Sequence, residues 1–223
     1  MSVSIIIPVY NDSEYLIKTV ASCLVQDVDA EIIVVADAPT KPIEPNVYGF
    51  MACCGVSVVH QVENRGLADA RDAGIRESNG DFILPLDTGD WLYPHVLGKM
   101  VDIMSGADVV YGNMTEKDGG PVCVPPGSHG IDRDGMLKMN QLWCTSMFRK
   151  ALWEKVGGYA NGLHTSYEDY TFWNKCVMAG ARFKYVNKLI YHHTYNPNSM
   201  LITLHKRTDY YNELARKPLW SQL

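Results

Sequence analysis

Asp87 and Asp90 close the stretch Asn79–Pro94, NGDFILPLDTGDWLYP, directly after the apolar run Phe82–Leu86. In an alternating α/β chain such a run is a buried parallel strand whose carboxyl end opens into a ligand crevice, so acids placed there face a site. Carboxylates at such a mouth can bind a cation or accept a proton. Taken alone, the stretch is equally a strand followed by an acidic helix cap, with Asp90 as N-cap and Pro94 near the first turn. The other candidates are Asp37, Arg71, the pair Glu168 and Asp169, and the pair His192 and His193. Arg71 stands among Leu67, Ala70, Ala73, Gly74 and Ile75, and is either a solvent-facing helix charge or a guanidinium aimed inward beside the ligand rim. Glu168 and Asp169 open a helix pattern, where the macrodipole favours carboxylates simply as caps. Histidines on an extended segment are by default half-buried and hydrogen-bonded, and become ligands only beside the acids.

Five strands must position these residues. Val3–Val9 is followed by Asn11 and Asp12, either of which can cap a helix through Tyr15, Leu16, Val20, Cys23 and Leu24. Glu31–Ala36 is the second strand and ends at Asp37, so a right-handed parallel crossover puts Asp37 and Tyr10 on one carboxyl edge. Val56–His60, Phe82–Leu86 and Asp108–Tyr111 complete the alternation. Residues 41–46 read as a loop and 49–55 as a short helix or turn. From Gly112 the character changes. Residues 118–121 carry a hairpin signal, 125–130 a flexible loop, Gln141–Phe148 a strand, and Lys150–Val156 a helix stopped by Gly157 and Gly158. A helix over Tyr167–Ala179, two extended segments (182–186 and 188–193) and a helical tail beyond Met200 follow.

The 223 residues suffice for one sizeable core in a single domain. A net charge of -5 without Lys or Arg runs gives no sign of a polyanion-binding surface. Six cysteines without CxxC spacing fit mostly buried thiols in a reducing compartment. No apolar run approaches the roughly 18 residues of a membrane span. The expectation is a soluble, cytoplasmic protein.

In their order along the chain, seven motifs resemble the family 2 glycosyltransferases of the GT-A fold. They are VSIIIPVYND at the start, EIIVVAD, NRGLADARDAGI, GDFILPLDTGDWLYP, GGY at Gly157–Tyr159, YEDYTFW at Tyr167–Trp173, and LIYHHTYNPNSM near the end. Together they span most of 3–200. The resemblance implies an α/β, Rossmann-like nucleotide-sugar-binding domain with a mainly parallel central sheet and a smaller C-terminal acceptor-side region. Residues 1–112 would form the nucleotide-binding half, 113–200 the acceptor and catalytic half, and 201–223 the tail. It further implies transfer from a nucleotide-sugar donor, UDP-linked, to a hydroxyl acceptor on a glycan, lipid or small molecule, with inversion and with Mn²⁺ or Mg²⁺. Pro8, Tyr10 and Asp37 would line the nucleoside pocket and Arg71 would contact base or phosphate. Asp87 would approach ribose and metal, Asp169 would be the base, with Glu168 orienting it or touching the acceptor, and His192 or His193 would bind metal or diphosphate.

Three places depart from the family pattern. The second strand ends in Ala36-Asp37-Ala38-Pro39, with one acid where two are usual. The DxD motif reads Asp87-Thr88-Gly89, so Asp90 is the favoured substitute; the alternatives are a metal held by Asp87, a histidine and diphosphate, or weak metal dependence. The terminal motif reads Tyr191-His192-His193-Thr194. Two other functions stay open: a nucleotide-sugar-binding protein that has lost catalysis, and transfer to hydroxymethylated bases in DNA. The latter would need Arg133, Lys138, Arg149 and Lys150 on one face. Trp91, Trp143, Trp153 and Trp173 are read as core or wall aromatics, with Trp143 and Trp173 the possible sugar platforms.

Overall fold

The computed structural model describes residues 2–116, 120–159, 167–194 and 216–217. Eight strands form one sheet in the order β3-β2-β1-β4-β7-β6-β8-β5. The first half is parallel: β1 (Val3–Val9), β2 (Ala30–Ala36), β3 (Ser57–His60) and β4 (Phe82–Pro85), with Val3 opposite Ala30 and Phe82 at the register. Helices α1 (Leu16–Leu24), α2 (Pro45–Cys53) and α3 (Leu67–Glu77) connect these strands.

Both faces of the sheet are covered, which is why the strands read as unbroken apolar runs. Ile5, Ile7 and Val34 point to one core with Leu16 and Val20 of α1 and Met51 of α2; Leu97 and Met100 of α4 (Leu97–Met104) join them. Ile6, Ile33 and Val35 point to the other, with Ile75 of α3, Leu152 of α6 (Lys150–Val156) and Phe172 and Trp173 of α7 (Glu168–Met178). Burying each aliphatic side chain contributes about 1.5–3 kcal/mol. Gly74 lets α3 lie close on this second face, since a Cβ there would stand 2.6 Å from Ile6 Cγ2 and 2.8 Å from Val35 Cγ2. Residue 71 shares that face, three positions earlier.

The second half departs from simple alternation. The expected strand over Gln141–Phe148 is confined to β7 (Met147–Arg149), which runs antiparallel between β4 and β6 (Val109–Thr115). The two extended segments expected near the end are one strand, β8 (Phe183–His192), parallel to β6 with register shifts after Tyr111 and Asn113. β5 (Trp91–Leu92) pairs with its end. α5 (Arg133–Lys138) is capped by Asp132, which accepts from Gly135 N at 2.7 Å.

Several local expectations are corrected. α2 starts at Pro45, inside the expected loop, because proline's fixed φ suits the first helical position. Neither the Asn11 nor the Asp12 side chain caps the turn Ser13–Tyr15 or α1; Asn11 Oδ1 instead accepts from Thr40 Oγ1 and Lys41 N. Cys23 and Cys176 are buried, Cys54, Cys123 and Cys144 are half-buried and Cys53 is exposed, so the cysteines are not mostly buried as expected. Trp173 has no exposed surface, so it is core and not a sugar platform. The hairpin turn at 118–119 and the expected tail helix lie outside the described residues, apart from helical Arg216 and Lys217. Among the described residues, no helix is long and apolar enough to cross a membrane.

Candidate active site

α3 carries Arg71 inward with no exposed surface. Its guanidinium forks: Nη1 donates to Glu168 Oε1 at 2.6 Å and Nη2 donates to Asp87 Oδ1 at 2.6 Å. The cation also lies over the Tyr159 ring, 5.6 Å from its centroid. A bidentate, planar donor can join two carboxylates in this way, which lysine cannot. The family resemblance assigns Arg71 to base or phosphate; in the fold both terminal nitrogens are engaged by acids. Burial pushes the Glu168 carboxyl up to about 7, against the pull of Arg71.

Next to it on α3, Asp72 fixes the turn that follows α6. It accepts from Trp153 Nε1 at 2.6 Å and from Tyr159 N at 3.1 Å. Gly157 and Gly158 take φ of 75° and 72°, the left-handed region open to glycine. Adjacent residues of one helix therefore seat both the acids and the aromatic ring that lies against Arg71.

Asp169 is the second residue of α7. Its Oδ2 accepts from Asn140 Nδ2 at 2.9 Å, and burial raises its carboxyl pKa, opposed chiefly by Arg71. Cys144, on the segment entering β7, lies within electrostatic reach of Arg71, Asp87, Asp169 and Glu168, and burial pushes its thiol well above the usual range. Nothing in the sequence pointed to Asn140 or Cys144; their signal is only their proximity to a strand whose direction reverses.

Asp87 follows β4, and the turn 87–90 is closed by Asp90 N donating to the Asp87 carbonyl at 3.0 Å. Gly89, third in this turn, has φ 102°. That backbone position favours glycine, which gives the altered DxD motif a geometric cause. Asp90 is not a helix cap. Its buried carboxylate contacts His193 Nδ1 at 3.1 Å and accepts from Thr194 N at 2.9 Å, while Thr194 Oγ1 donates to the Gly89 carbonyl at 2.6 Å. The hydrogen bond to Asp90 raises the His193 pKa; burial raises that of Asp90. His192 points elsewhere, with Nδ1 2.9 Å from Thr115 Oγ1 and its ring stacked on Trp91 at 4.8 Å.

Among the described residues, no three His, Cys, Asp or Glu side chains form a cation cage. Asp87 is the acid that suits a cation, its side chain 36% exposed and only Oδ1 engaged by Arg71. One such carboxylate fits a hard ion whose shell is completed by phosphate oxygens and water. At the same sheet edge, Tyr10 is 40% exposed after β1 and Pro8 contributes its carbonyl to Thr88 Oγ1 at 2.7 Å. Asp37, after β2, accepts from Arg65 N and Gly66 N, both at 3.0 Å, and so ties β2 to the start of α3.

Residues 4–168 match the family model described as Glycosyl transferase family 2. An uncharacterized glycosyltransferase of Haemophilus influenzae is 30% identical over 181 residues, covering 78% of this chain and 71% of that protein. The succinoglycan biosynthesis protein ExoU of Rhizobium meliloti is 25% identical over 217 residues, covering 89% of this chain and 63% of that protein. Among solved structures, S. aureus TarS 1-349 in complex with UDP-GlcNAc shares the fold with a TM-score of 0.77 at 21% identity, over 91% of this chain and 61% of the other. The chain thus spans about three fifths to seven tenths of these relatives.

Proposed function

Because the chain belongs to glycosyl transferase family 2, we propose that this glycosyltransferase moves a sugar from a UDP-linked donor to a hydroxyl of a glycan, lipid or small-molecule acceptor, with inversion. The observation that carries it is Asp169: a carboxylate held through Oδ2, beside Glu168, which Arg71 joins to Asp87. In this mechanism the acceptor oxygen attacks the anomeric carbon while Asp169 takes its proton. The bond from that carbon to the donor diphosphate breaks, and UDP leaves with the electron pair. Glu168 and Arg71 hold the base in place relative to the donor side. Pro8, Tyr10 and Asp37 line the nucleoside pocket, an assignment supported by their common edge with Asp87. A bound Mn²⁺ or Mg²⁺ would be held by Asp87 and would supply charge neutralisation for the diphosphate. The UDP and UDP-GlcNAc named with the TarS structures support the donor class by shared fold.

The reading as a non-catalytic binder rested on Gly89, for which the turn supplies another cause. The reading for DNA is weakened at two of the four basic residues it needs on one face. Arg149 and Lys150 donate to the carbonyls of Met104, Ala107 and Ser78, and Arg149 stands opposite Phe82, at the start of β4 and away from Asp87.

Calorimetric titration with UDP, GDP and dTDP, each with Mn²⁺ and with chelator, tests the proposal. UDP binding that collapses on chelation is expected. Absence of binding to every nucleotide under both conditions would reject it.

A further inference from the structure

We propose that Asn140 is a positioning residue for Asp169, holding one carboxylate oxygen from the acceptor side so that the other is presented to the attacking hydroxyl. The inference rests on Asp169 being the base. Asn140 Nδ2 donates to Asp169 Oδ2 at 2.9 Å, and Oδ1 of the same amide accepts from Leu142 N at 3.3 Å. The two bonds fix the amide's orientation, since flipping it would set oxygen against oxygen and N–H against N–H.

The segment that carries Asn140 is itself anchored to α7. Tyr170 Oη donates to the Met136 carbonyl. Arg216 donates to the Lys138 carbonyl at 2.7 Å and to Tyr170 Oη at 3.2 Å, and Gly127 N donates to the Gln141 carbonyl at 3.0 Å. A neutral amide donor favours the ionised carboxylate without adding charge. The other groups facing Asp169 are Glu168 on its own helix, Arg71 from α3, Asp87 after β4, Cys144 before β7, Tyr159 after α6 and Tyr191 in β8. All remain in the variants below. A segment on the acceptor side thereby sets the geometry of the base, which couples acceptor seating to proton removal.

The test is a carboxyl-carbon NMR titration of ¹³C-aspartate-labelled wild type, Asn140→Ala and Asn140→Asp, with Asp169→Asn assigning the Asp169 signal. Asp at position 140 still accepts from Leu142 N, which keeps the loop, and ionised it donates nothing to Asp169 while adding a like charge beside it. The Asp169 midpoint should rise by about one pH unit in Asn140→Ala and further in Asn140→Asp, where repulsion adds to the lost bond. The acid limb of kcat for UDP release from UDP-GlcNAc, with water as acceptor, should move up equally, with kcat about tenfold lower and UDP affinity unchanged. An unmoved Asp169 midpoint in both variants overturns the proposal, as does a loss of UDP affinity that accounts for the whole loss of turnover. Full turnover by Asp169→Asn would instead remove the base assignment, while the titration still decides whether Asn140 holds that carboxylate.

Discussion

Arg71 and Glu168 lie 97 positions apart in the chain and meet at 2.6 Å, with side chains only 1% and 6% exposed. Removing one member of such a pair strands a buried charge, at a cost of about 3–5 kcal/mol. Arg71→Met should therefore lose about that much unfolding free energy. Arg71→Lys keeps the charge but not the fork and should lose less, roughly 1–3 kcal/mol. Urea unfolding curves would check both; equal losses would show that charge contributes nothing beyond shape.

Asp169→Asn should reduce transfer by about 10²–10⁴-fold while UDP binds as before, because it removes a base and keeps the shape. UDP release and calorimetry on the same preparation measure the two sides. Turnover at the wild-type rate would take Asp169 out of the chemistry.

His193 titrates above its usual 6.5 because Asp90 holds the protonated ring. The sign follows: the pairing stabilises the fold fully below about pH 6.5, and that contribution is lost as pH rises through the higher folded value. Asp90→Asn should lower the His193 midpoint seen by NMR. If the pairing is the role of Asp90, Asp90→Ala should leave Mn²⁺-dependent UDP binding unchanged; a weakened Mn²⁺ titration would return Asp90 to the metal site.

Gly158→Ala should destabilise by about 1–3 kcal/mol. Its φ of 72° disfavours a side chain, and the new Cβ would stand 2.9 Å from Asp72 Oδ2. Thermal or urea unfolding reads the effect, and a neutral substitution would show that the turn relaxes freely.

The first half of the chain was legible because its strands are buried on both faces and its acids fall just where apolar runs stop. Asp37 and Asp87 could be picked out by position, whereas Asp169, in the first turn of its helix, read as a cap and took its role only from the family resemblance. The function of Arg71 was not legible, since a helix pattern shows that a side chain faces the sheet but not which partners, 16 and 97 positions away, will meet it. The contact of Asp90 with His193 was not legible for a similar reason: it is set by the pairing of Trp91 with His192, a register that no local signal encodes. β7 escaped because three residues flanked by irregular chain carry too little periodicity to give a direction.

The reversed direction of β7 has a consequence for how this scaffold can diversify. Parallel strands line their carboxyl edge with outgoing loops, whereas an antiparallel strand delivers its incoming segment to that same edge. One wall of that edge is thus assembled from the exits of β1, β2 and β4, and the opposite wall from the approach to β7, which contains Asn140 and Cys144. Insertions or deletions between β6 and β7 can remodel the second wall while leaving every strand register and the whole first wall in place.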